Sequence, residues 1–232
     1  MSVNRLVVAV EATHQSLEQR LLEATQHPFS PARPRAGYAR VDALMAATSR
    51  HLAAVDEVLL KVAADKLPQG NERVRTYLHE ARLLELAMSS LKARLYGEMH
   101  AAHLSWSQVW KEVRRALVRH NELERALVVD LAAVLSDDAS DMLAEQVYRA
   151  EVKAPTRTHP NIPHRGRLGH AARRMWAVAD RFWDTAEGRV VPRPVRPPMN
   201  EHAVDSLMAQ YLTGEPHLDD KAPLFAHRRR HH

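Results

Sequence analysis

Apolar side chains recur every three or four positions along four stretches of the chain, the signature of helices that bury one face. The first stretch covers residues 3–24, with Val3, Val7, Val10, His14, Leu17 and Leu21 in line. The second covers residues 40–64 through Val41, Leu44, Thr48, His51, Val55, Val58 and Val62. The third covers residues 72–96 through Val74, Tyr77, Ala81, Leu84, Met88, Leu91 and Leu95, and Gly97 ends it. The fourth covers residues 105–135 through Trp106, Trp110, Val113, Leu117, His120, Glu124, Leu127, Leu131 and Val134. Ser105 is its expected N-cap, with Gln108 supplying part of a capping box. A loop over residues 27–38, holding Pro28, Pro31 and Pro34, separates the first two helices. Pro68, Gln69 and Gly70 mark a tight turn between the second and third.

Short connections make the second, third and fourth helices antiparallel neighbours. The expected architecture is all-α, an up-down-up-down four-helix bundle over residues 1–136. In that topology the helix midpoints share one layer. Residues 137–189 read as a helical extension packed on the bundle, with a short helix over 138–152 and an amphipathic helix over 169–187 that carries Trp176, Phe182 and Trp183. Residues 190–232 read as a Pro-rich connector over 190–198, a short helix over 201–212 and a basic tail.

Composition agrees with helices. Hydrophobic residues make up 45% of the 232, and there are only 7 glycines. The chain has no cysteine, which excludes disulfides, zinc fingers and iron–sulfur ligation. A transition metal here must be held by imidazole and carboxylate, a set suited to iron, manganese or zinc. No apolar run approaches the roughly 18 residues of a membrane span, and no signal peptide is evident, so the expected location is the cytoplasm. The formal charge of +5 is concentrated in the tail around Arg228, Arg229 and Arg230. That tail offers weak contact with nucleic acid or a protein.

The interruptions of the stripes carry the candidate chemistry. His14, His51, Glu85, and the pair His120 and Glu124 lie near the middle of their helices. With about 100° of rotation per residue, Glu85 falls on the flank of the third stripe and His79 nearly opposite it. His120 and Glu124 are one turn apart, so one ion can be gripped by both. A lone polar residue on an apolar face is usually a satisfied core residue. Several together, with no lysine or arginine on the stripes, cost several kcal/mol unless they are paired or coordinated.

These positions resemble the hemerythrin-like family, the HHE cation-binding domains. The likeness rests on the run from Glu11 through His14, the run from His51 to Leu60, a third helix bearing Glu85, and His120 with Glu124. It covers roughly residues 3–136, and the stretches around Tyr148 to His159 and Trp176 to Trp183 look like an extension of some actinobacterial members. The resemblance implies non-haem iron held by His14, His51, His120 and Glu124, used to bind or sense oxygen, nitric oxide or peroxide. Enzyme status does not follow from it. Two positions depart from the family pattern: Val55 stands where a bridging glutamate is usual, and Glu85 where a histidine is usual. A di-iron site, a single metal and a metal-free bundle serving as an interaction module all remain open at this point. So does a homodimer.

Overall fold

The computed structural model describes residues 4–26, 34–98, 103–157, 178–180, 184–185, 189 and 191–198. Six α-helices are assigned among them, and no strand: α1 Arg5–Gln26, α2 Pro34–Glu57, α3 Leu59–Lys66, α4 Gly70–Leu95, α5 Trp106–Val134 and α6 Asp137–Lys153. Along α1 the buried residues are Leu6, Val10, His14, Leu17, Leu21 and Ala24, close to the periodic stripe.

Two expectations about the second helix are corrected. It begins at Pro34, inside the stretch read as loop. A proline in the first helical turn loses no hydrogen bond, because the first amides of a helix have no internal partner, and its fixed φ already suits the helix. The helix is also broken at Val58, with φ −111° and ψ −64°, before α3 resumes. The break shifts the buried face by one residue. Leu59, Leu60, Ala63 and Leu67 enter the core, while Val58 and Val62 stay half-buried. Leucine carries more apolar surface than valine, so the kinked course buries more of it.

The turn into α4 depends on backbone shape. Gln69 adopts a left-handed conformation, φ 53°. Gly70 then sits so close to the end of α3 that a Cβ would collide with the Ala63 carbonyl and come within 2.8 Å of that of Ala64. α5 starts with a complete capping box rather than a partial one. Ser105 Oγ accepts from the Gln108 amide at 3.2 Å, and Gln108 Oε1 accepts from the Ser105 amide at 3.0 Å. Its apolar face is rotated at both ends: Val109 is buried, Trp106 and Trp110 are half-buried and stacked on each other, and Val134 is exposed. The Arg94 guanidinium lies 5.2 Å over the Trp106 ring.

α4 runs along α5, α1 packs on α2, α5 and α6, and α2 meets α1, α4 and α6. That central place explains why α2 buries residues around much of its circumference, from Val41, Leu44 and Met45 to Ala54 and Val55. α6, capped by Ser136, turns Leu143, Ala144, Val147 and Glu151 inward. Residues 191–198 cross this side in an irregular path. Arg50 donates to the Pro192 carbonyl at 2.8 Å and Arg5 to that of Pro198. Thr156 and Arg157 donate backbone N–H groups to Asp180 at 3.0 Å each, and Arg189 pairs with Asp42 at 3.2 Å.

Residues 178–180 and 184–185 are helical. Trp176, Phe182 and Trp183, the short helix expected over 201–212, and the basic tail lie outside the described residues. Among the described residues no helix is long and apolar enough to cross a membrane.

Candidate metal centre

Three helices deliver four side chains to one point. α1 brings His14, α2 brings His51, and α5 brings His120 and Glu124; each is at most 1% exposed. One carboxylate oxygen is the focus. Glu124 Oε2 lies 2.9 Å from His51 Nε2, 3.1 Å from His120 Nε2 and 3.3 Å from His14 Nε2. One donor atom from each of the four lies within 4.8 Å of the others. The imidazole rings meet edge to face, with centroids 5.5–6.3 Å apart.

His51 is held from both sides. Its Nδ1–H donates to Glu151 Oε1 at 2.8 Å, and its Nε2 faces Glu124. Burial alone would depress its pKa, but the Glu124 and Glu151 carboxylates outweigh that and hold it at about 10. Burial would likewise raise Glu124. The surrounding imidazoles, His51 foremost, pull it well below the usual carboxylate range instead. His120 moves the other way: burial, with His51 and His14 nearby, lowers it despite Glu124.

The cluster is poorly satisfied as a hydrogen-bond network. His14 Nδ1, His120 Nδ1 and Glu124 Oε1 are fully buried and have no hydrogen-bonding partner among the described residues, while His14 Nε2 and His120 Nε2 have only the Glu124 contacts at 3.3 and 3.1 Å. Such groups cost about 1–3 kcal/mol each. As a ligand set the same atoms make sense. A tetrahedral ion with bonds of about 2.0–2.2 Å needs donor atoms roughly 3.3–3.6 Å apart. The histidine–carboxylate separations of 2.9–3.3 Å need to open by a few tenths of an ångström, and the wider separations in the group, which reach no further than 4.8 Å, need to close by about 1 Å. Three nitrogens and an oxygen, all buried, suit a single divalent transition ion.

Of the five residues singled out from the sequence, His14, His51, His120 and Glu124 are brought together. Glu85 is buried on α4, as its flank position implies, but stands outside that group of four, and His79 is exposed. Val55, one turn beyond His51, is fully buried. Two residues that touch the site were not singled out. Glu151 closes the inward face of α6 after Ser140, Leu143, Ala144 and Val147, and the period-3.6 test applied to that helix would have found it. Tyr77 lies on the α4 stripe and was counted as core; its ring centroid is 5.1 Å from that of His120. No protein family, no curated protein and no solved structure matches this chain.

Proposed function

We propose that this is a hemerythrin-like helical bundle that holds one non-haem iron and uses it to bind or sense oxygen, nitric oxide or peroxide. In this reading His14, His51, His120 and Glu124 are the ligands, and α6 is an added wall on a four-helix core. The observation that carries it is the arrangement of His51, whose Nδ1 is fixed by Glu151 while its Nε2 joins the convergent cluster. A carboxylate on the far nitrogen of a ligating histidine sets the tautomer, orients the ring and makes the ligand more basic.

The donor set favours one ion over two. A single carboxylate, Glu124, is in the group, and Val55 presents a hydrocarbon wall where a second bridging group would be needed. Iron held by these four donors could take a further ligand by expanding beyond four-coordination, and would supply one-electron chemistry to it. The chain's own residues prepare the site. Burial of all four donors excludes bulk water, and residues 191–198 cover Glu151 from outside, lining small cavities beside it. Glu151 accepts the His51 proton at Nδ1, which leaves Nε2 free to coordinate once its own proton is lost.

The three buried polar atoms without any partner among the described residues, His14 Nδ1, His120 Nδ1 and Glu124 Oε1, weigh against the metal-free interaction module, because a bundle kept only for its surface gains nothing from them. The test is exposure of the ferrous protein to nitric oxide under anaerobic conditions, read by electron paramagnetic resonance. A stoichiometric iron–nitrosyl signal that disappears in His120→Ala is expected. Iron-loaded protein that gives no such signal would overturn the assignment to gas or peroxide ligands.

A further inference from the structure

We propose that the Tyr77 hydroxyl is the hydrogen-bond donor that grips a small oxygen- or nitrogen-containing ligand bound on the α4 side of the metal centre. This rests on the metal-binding reading above and assigns the ligand's protein partner within it.

The ligands come from α1, α2 and α5, and α4 makes the most extensive contact with α5, so a metal held by them would have α4 along its side next to His120. What α4 buries is therefore what a ligand there would meet. Its inward residues at the level of His120 are Tyr77 and, one turn on, Ala81. Alanine leaves room, and the phenol brings a polar group. The Tyr77 ring packs at 53° on the His120 imidazole, with centroids 5.1 Å apart.

The hydroxyl itself is fully buried and has no hydrogen-bonding partner among the described residues, though the residue is 1% exposed. A buried phenol normally finds a partner, because leaving it unpaired forfeits its hydration for nothing. Several other inward positions around the cluster are hydrocarbon: Val10 and Leu17 on α1, Val55 on α2, Leu117 and Leu127 on α5. Thr48, one turn before His51 on α2, is a second buried hydroxyl without a hydrogen-bonding partner among the described residues, and Tyr77 is the donor on the α4 side. A phenol carries its proton at neutral pH, so the group can donate it in a hydrogen bond. A single donor of this kind distinguishes ligands that accept a hydrogen bond at a bound or terminal atom from ones that do not.

Azide is the probe, titrated into iron-loaded wild-type protein and Tyr77→Phe. Tyr77→Phe should keep its iron content, raise the melting temperature of the metal-free protein, and weaken azide binding about tenfold. The bound-azide stretching band of the wild type should shift between light and heavy water, and the shift should vanish in Tyr77→Phe. Unchanged azide affinity and an unchanged isotope shift in Tyr77→Phe would overturn the proposal. An intense visible phenolate-to-iron band in the wild type would also overturn it, by making Tyr77 a ligand. If Tyr77→Phe fails to fold, the wild-type isotope shift decides alone: its presence supports the donor and its absence refutes it. Iron-loaded wild type that takes up no azide refutes this proposal while leaving metal binding intact. A chain that takes up no metal removes both.

Discussion

Each of the four convergent residues is expensive to bury alone, and their cost is offset only by one another or by an ion. His51 shows the balance best. In the metal-free protein two carboxylates raise its pKa to about 10, so at pH 7 it is charged. A metal needs the Nε2 lone pair, so loading must expel a proton. Calorimetry of zinc or ferrous binding at pH 7, repeated in buffers of different ionisation enthalpy, should show release of about one proton per ion from this residue. Heat independent of the buffer would contradict it. The same shift fixes a stability profile. The folded-state pKa is above the ordinary value of 6.5, so the contribution of His51 is complete below about 6.5 and is lost as pH rises toward about 10. The metal-free wild type should lose stability across that window more steeply than His51→Gln, as measured by urea denaturation at several pH values. Glu151 acts through His51. Glu151→Ala should lower metal affinity 10- to 100-fold with the helical content unchanged. An unchanged affinity would mean that the Nδ1 contact does not orient the ligand.

At the scale of the helix, periodicity reported faces well and ends badly. The phase of α4 was legible because Val74, Ala81, Leu84 and Met88 repeat without conflict, and it put Glu85 inside and His79 outside. The kink at Val58 was not legible, because Val58, Leu59, Leu60 and Val62 are all apolar and either face could be the buried one. Packing of α2 against α1 and α6, and of α3 against α4 and α5, decides that, and no window of sequence contains those neighbours. The start of α2 is not legible because proline signals a loop and also suits a first helical turn, as Pro34 does. The Gly70 turn was legible, and its necessity is testable. Gly70→Ala forces a methyl group into the carbonyls of Ala63 and Ala64. It should cost about 1–3 kcal/mol in denaturant unfolding, as overpacked sites do. A loss below about 0.5 kcal/mol, the scale of an ordinary surface change, would show that the turn relaxes freely.

For the molecule as a whole, the chemistry was more legible than its supports. His14, His51, His120 and Glu124 stand out because a polar residue on an apolar stripe is visible from the residue alone. Glu151 and Tyr77 are not visible in that way. One sits in a helix read as an appendage, and the other is an aromatic residue in an aromatic-tolerant core position. Their roles arise from helices far apart in sequence meeting at one point. α6 and residues 191–198 therefore belong to the description of the site as much as α1 does, since one holds Glu151 and the other lies over it. Whether the four buried donors hold an ion decides what the protein does. Elemental analysis of protein purified after iron-replete, low-oxygen growth, beside the His51→Ala/His120→Ala double variant, measures this directly. The prediction is about one iron atom per wild-type chain and none in the double variant. Wild-type protein without metal, or a double variant that retains it, would contradict the claim.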